Sequence, residues 1–130
     1  MVTRLFPGEL SNQTLSNIEI DAQISPDGQY VLANTAYPLT LSLHQLDNWK
    51  SDDLTAEHKF TYDGVTLEMV WSPDSSQAIV SVRDLDVGFL YRVWRDGTSE
   101  KILTVTSMND MPTGLHCSPD GEELVFATRE

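Results

Sequence analysis

The sequence predicts an all-β chain built from one four-stranded antiparallel unit repeated along its length. Three observations carry this. A common pattern recurs without a gap at residues 20–35, 67–82 and 113–128, and its prolines, Pro26, Pro73 and Pro119, stand 47 and then 46 residues apart. Within each copy the apolar side chains leading to the proline alternate at a period of two, the mark of a strand with one buried face. Helical periodicity is weak throughout, and only residues 47–57 leave room for a helical turn.

Each copy opens with a strand. The residues two, four and six ahead of the prolines are Ile24, Ala22 and Ile20, then Trp71, Met69 and Leu67, then Cys117, Leu115 and Thr113; eight of these nine are apolar and share a face. A turn follows: Ser25-Pro26-Asp27-Gly28, Ser72-Pro73-Asp74-Ser75 and Ser118-Pro119-Asp120-Gly121. Proline pre-sets φ at the first corner, the aspartate caps nearby backbone N–H groups, and Gly28 and Gly121 accept the left-handed conformation that closes the turn. Ser75 holds that place in the second copy at a small cost in strain. The strands after the turns, 30–35, 77–82 and 123–128, are apolar on both faces, as interior strands covered above and below must be.

The stretches between copies supply two further strands each. Leu39, Leu41 and Leu43 alternate with Thr40, Ser42 and His44, and residues 59–62 are expected as the next strand, after a polar loop holding Asp47, Asn48, Asp52 and Asp53. In the second unit residues 87–94 form the third strand, Arg95-Asp96-Gly97-Thr98 the turn and 101–106 the fourth strand. Four strands in about 46 residues is the size of one propeller blade. The chain is therefore expected to be an incomplete β-propeller of four-stranded antiparallel blades, about two and a half of them. Residues 18–62 and 65–106 are the full blades and 111–130 a partial one. Residues 1–17 are a strand and linker, with residues 2–6 as the outer strand of a preceding blade. A closed ring needs four blades or more. Sheet faces left open at both ends imply a protein partner, either the remaining blades of a longer chain or another copy of this one.

The Trp71-Ser72-Pro73-Asp74 run, with Ser-Pro-Asp-Gly at 25–28 and 118–121, resembles the WD-repeat-like propeller repeat of TolB-type proteins. The same repeat occurs in the non-catalytic propeller domains of prolyl-oligopeptidase-like and dipeptidyl-peptidase-like serine hydrolases. The repeats cover roughly 110 of the 130 residues. Ile24 and Cys117 depart from the family by standing where it often has an aromatic, and Ser75 by replacing a glycine. The resemblance implies a scaffold for protein interaction, or the gating portion of such a hydrolase without its catalytic domain; a self-assembling partial propeller is the further alternative. The repeat is a structural signature and brings no catalytic residue with it.

Composition narrows the partners. Eight basic side chains stand against 20 acidic ones, a net charge of −12, and the few cations are scattered, which argues against neutralising a nucleic-acid backbone. An apolar share of 40% suits a folded soluble domain, and no 18-residue apolar run is present for membrane insertion. Cys117 is the single cysteine, so no intrachain disulfide forms. The first ten residues lack the apolar run of a secretory signal: the chain as it stands is expected in the cytoplasm, or in the periplasm or outside the cell if an export signal lies outside it.

Catalytic and metal chemistry find little support. No Gly-x-Ser-x-Gly elbow occurs, and His44, His58 and His116 fall in different strands or loops, so no enzyme activity is expected. His116 and Cys117 are neighbours on one strand and point to opposite faces, which rules against a thiol–imidazole pair; Cys117 instead fills the core slot of Trp71. No Cys-x-x-Cys or His-x-x-x-His spacing exists, and Asp84-Leu85-Asp86 and Asn109-Asp110 lack the glycine and terminal glutamate of a calcium loop, so no metal or other cofactor is expected. Packing accounts for Phe89, Tyr91 and Trp94. Two residues remain as candidate binding-surface positions: Trp49, between Asn48 and Lys50 in the longest polar loop, and His116, on the alternate face of a blade's innermost strand.

Overall fold

A strand that is apolar on both faces needs a sheet on either side of it. The structure, a computed structural model, describes residues 3–6, 9–14, 21–35, 38–48, 50–54, 58, 61 and 63–128. Thr3–Phe6 (β1) and Glu9–Thr14 (β2) form a two-stranded antiparallel sheet. Asp21–Ile24 (β3), Tyr30–Thr35 (β4), Thr40–Gln45 (β5) and Ser51–Asp53 (β6) form a four-stranded sheet in chain order. Val65–Trp71 (β7), Gln77–Asp84 (β8), Val87–Trp94 (β9) and Ser99–Val105 (β10) form another of the same order. A 3-10 turn at Met108–Asp110 leads to Thr113–Cys117 (β11) and Leu124–Ala127 (β12), a second two-stranded sheet. All pairings are antiparallel. This is a partial β-propeller: two complete blades flanked in sequence by two half-size sheets.

Two strands differ from expectation, for one reason. The fourth strand of the first blade is Ser51–Asp53, within the stretch read as a polar loop; of residues 59–62, expected to form it, 59, 60 and 62 lie outside the described residues. Residues 55–57, part of the stretch with room for a helical turn, lie outside them too. Residues 9–14, read as linker, form β2. Every residue of β6 is exposed, so nothing selects an apolar alternation there, and Glu-Leu-Ser-Asn-Gln-Thr in β2 shows none either.

The core lies between sheets. Leu32, Leu41 and Leu43 of the first blade pack with Met69, Trp71, Ala78, Val80, Val82, Tyr91 and Val93 of the second, and Leu39 and Leu54 join them. On the other side of the second blade, Ile79 and Leu90 pack with Leu115, with Val70, Leu103 and Leu124 at the margin. β8 thus buries both faces, Ala78, Val80 and Val82 towards one blade and Ile79 towards the next sheet. A fully buried aliphatic side chain contributes about 1.5–3 kcal/mol by leaving water, so these junctions hold the sheets together. β12, read from its sequence as the same kind of interior strand, is half-buried at Leu124 and exposed beyond it, because no third strand flanks it among the described residues.

Candidate interaction site at the open blade ends

The three Ser-Pro-Asp turns repeat one hydrogen-bond set. Ser25, Ser72 and Ser118 each donate their hydroxyl to the aspartate two residues on, Asp27 (2.6 Å), Asp74 (2.7 Å) and Asp120. Each serine Oγ also accepts the N–H that opens the next strand, from Tyr30, Gln77 and Glu123. Each aspartate also accepts a backbone N–H, from Gln29, Ser76 and Glu122. The turn closes at positive φ: 73° at Gly28, 63° at Ser75 and 76° at Gly121. Pro26, Pro73 and Pro119 are exposed at the corners. These hydrogen bonds tie the first strand of each sheet to the second.

Their carboxylates make stability pH-dependent. The Ser72 hydroxyl, then that of Ser76 and its N–H, hold the Asp74 carboxyl down from 3.8 to about 2. The Ser25 and Ser118 hydroxyls lower Asp27 and Asp120 in the same way. A carboxyl whose pKa falls on folding stabilises the fold fully above its unfolded value and loses that contribution as pH drops through its folded value. The carboxylates' contribution to the melting temperature is therefore expected to hold from neutrality to about pH 5 and to be lost between about pH 5 and pH 2. Asp74→Asn should shallow that fall, measured by thermal melts across the range; an unchanged slope would remove Asp74 from the account.

Polar clamps join the blades beside the apolar junction. Trp71 Nε1 donates to Gln23 O of the first blade at 2.9 Å. The Ser75 hydroxyl accepts the Asp27 N–H at 2.9 Å, so the residue that strains the second turn also ties it to the first. Arg95 lies over the Tyr30 ring, 4.6 Å from its centroid, and reaches Asp27 Oδ2 at 3.1 Å and Gln29 Oε1 at 3.2 Å. A cleft of about 200 Å³ opens beside it, lined by Tyr30, Gln45, Lys50, Asp52 and Asp96 among others. At the second junction the Glu68 carboxylate accepts the N–H groups of Gly114 and Leu115, both at 3.0 Å.

The two open ends contrast with these junctions. Ile24 occupies the repeat position of Trp71 yet is 62% exposed, against 8% for Trp71. Val125 occupies the repeat position of Ile79 and is 59% exposed, against 5%. Phe126, beside it, is exposed as well. The expected binding-surface residue His116 pairs across the ladder with Val125 and is exposed on the same open face, so the structure brings these two together. Trp49 lies outside the described residues. Cys117, on the opposite face of β11, is half-buried; burial, with Asp74 nearby, pushes its thiol up, away from the reactive thiolate. His44 is buried, which pushes its pKa down, with Nε2 2.9 Å from Ser42 Oγ, and the His58 ring lies tilted by 50° against that of Tyr91, their centroids 4.4 Å apart. The described residues contain no cluster of three or more His, Cys, Asp or Glu placed to hold a metal ion, and no helix long and apolar enough to cross a membrane.

The interlocking four-stranded sheets define a β-propeller sector, and a solved structure shares it. A crystal structure of a protein from Lactobacillus plantarum, a structural-genomics target, aligns with a TM-score of 0.53 at 20% identity over 93% of this chain. The chain spans 39% of the length of that neighbour, and at this identity the likeness concerns the fold alone. No protein-family model matches the chain, and no curated protein does.

Proposed function

We propose that this chain is a non-catalytic β-propeller scaffold of the TolB-like, WD-repeat-like kind, which binds protein through its open blade faces and stands as part of a larger propeller. The observation that carries the reading is the exposure of Ile24 and Val125 at positions whose repeat equivalents are buried between blades. Apolar residues that the repeat places in a junction, left in water at both ends, make a surface fitted to another sheet. The polar chemistry agrees. His44 and Ser42 are in contact, but among the described residues no carboxylate is hydrogen-bonded to His44 Nδ1 to orient the ring as acyl transfer requires.

Two measurements test this. The chain should bind an apolar dye such as bis-ANS, and the double variant Ile24→Lys/Val125→Lys should lose most of that fluorescence at an unchanged melting temperature. Equal dye binding by both would show that the open faces are not the docking surface. A fluorophosphonate probe should leave every serine unlabelled; stoichiometric labelling would overturn the non-catalytic reading.

A further inference from the structure

Four aspartates stand directly before a glycine, at 27–28, 63–64, 96–97 and 120–121. Such a pair can react with itself: the glycine nitrogen attacks the aspartate side-chain carboxyl, and a residue without Cβ leaves the approach open. Each of the four glycine N–H groups donates to the carbonyl three residues back, on Ser25, Thr61, Trp94 and Ser118, at 2.8–3.1 Å, so the nucleophile is engaged alike at all four. The carboxyls differ. Asp27 holds the Ser25 hydroxyl at 2.6 Å, and the Gln29 N–H and the Arg95 guanidinium at 3.1 Å each. Asp96 accepts the N–H and the hydroxyl of Thr98 at 2.9 and 2.6 Å, and Asp120 accepts the Ser118 hydroxyl and the Glu122 N–H. Among the described residues Asp63 has no hydrogen bond or ion pair. Its side chain is exposed, in an open hollow of about 420 Å³ that it lines with Arg83, Leu85 and Asp86.

We propose that Asp63 is a backbone modification site, which cyclises onto Gly64 and reopens as isoaspartate, while the other three Asp-Gly pairs are protected by their own turns. The carboxylate takes a proton from solvent, the Gly64 nitrogen bonds to Asp63 Cγ, and a Cγ–O bond breaks; the hydroxyl and the nitrogen's proton leave as water. A second water then opens the ring. Attack at Cγ restores aspartate, attack at the main-chain carbonyl carbon leaves the chain running through Cγ, and the new carboxyl returns its proton to solvent. Water is the only co-reactant. At Asp27, Asp96 and Asp120 the carboxyl must first leave two or three partners, and losing one charge-assisted bond in the reacting geometry slows the step about tenfold. The serine and threonine hydroxyls, with the N–H donors, also hold these three carboxyls below the usual range, so the neutral form that reacts is scarcer. The product adds one carbon to the main chain between two fixed points. Thr61 is held through its N–H and hydroxyl by Asp84, and Val65 opens β7 opposite Arg83. β7 carries Met69 and Trp71 into the blade junction, so the added length enters beside the core.

The experiment ages the folded full chain at neutral pH and locates isoaspartate by electron-transfer fragmentation of its peptides, supported by a protease that cuts before aspartate and not before isoaspartate. Isoaspartate is expected at 63, forming about tenfold or more faster than at 27, 96 or 120. In urea sufficient to unfold the chain the four rates should converge, because all four share a glycine neighbour and only the fold separates them. Thr98→Ala removes one partner of Asp96 and should raise the rate at 96 about threefold or more. Thr98 is exposed, so the variant folds, which its melting curve checks. Asp63→Glu, whose ring would need a sixth member, should end formation at 63 and leave the other three rates unchanged. A folded chain that ages without isoaspartate overturns the proposal, as does formation first at 27, 96 or 120 or equally at all four. A lead of 63 that persists in urea also overturns it, since the folded turns would not be its cause, and so does an unchanged rate at 96 in Thr98→Ala.

Discussion

Trp71→Ala is expected to lower stability by about 3–5 kcal/mol, the range for truncating a buried aromatic. Three losses add up at that position. The indole is 8% exposed and packs in the cluster that joins the two complete blades, so its removal returns apolar area to the transfer balance and leaves a cavity between sheets. Its Nε1 donor to Gln23 O disappears as well, and a hydrogen bond of this kind is worth about 1 kcal/mol. The neighbours cannot collapse readily into the space, because Leu32, Val80 and Val93 are held by their own ladders. Trp71→Phe separates the terms: it keeps most of the ring volume, loses the donor and should cost about 1–2 kcal/mol. Urea unfolding is the measurement. A loss below about 1 kcal/mol for the alanine variant would mean that the indole does not close the blade junction.

The same position shows what the sequence contains and what it does not. Ile24, Trp71 and Cys117 are equivalent by alignment, and all three read as core. Trp71 is buried, Cys117 is half-buried and Ile24 is exposed. Period-two alternation states which face of a strand is apolar; whether another sheet covers that face is a property of the neighbour, found elsewhere along the chain or outside it. The turns were legible for the opposite reason. Serine, proline and aspartate shape the turn through groups within five residues, so the sequence window that holds the motif holds the partners that close it. Arg95 was legible only as part of a turn. Its partners Asp27 and Gln29 are more than sixty residues away, and no local pattern announces a contact of that span. Ser75 was half legible: its positive φ follows from the motif, whereas the bond its hydroxyl makes to Asp27 N–H belongs to the packing of two blades.

Gly88→Ala is expected to cost about 2–3 kcal/mol through overpacking, although it adds a single methyl to a strand. Gly88 lies in β9, opposite Arg83 on one side and Val105 on the other. A Cβ built there would overlap Met111 Sδ and stand 2.7 Å from Val105 Cγ2. The methionine is unbranched and able to swing, but it is buried, and the valine is β-branched and stiff at χ1, so only one of the two neighbours yields. Met111→Ala alone opens a cavity and should cost about 2–5 kcal/mol. Combined with Gly88→Ala, the methyl fills part of that cavity, and the double variant is expected to fall short of the sum by about 1–2 kcal/mol. Strict additivity would mean that Met111 does not seat on Gly88. The consequence extends past stability. Met111 and the buried Pro112 lead from the 3-10 turn directly into β11, whose Leu115 packs on Ile79 and Leu90. Pushing Met111 outward therefore shifts the start of the half-blade on which Val125 is carried.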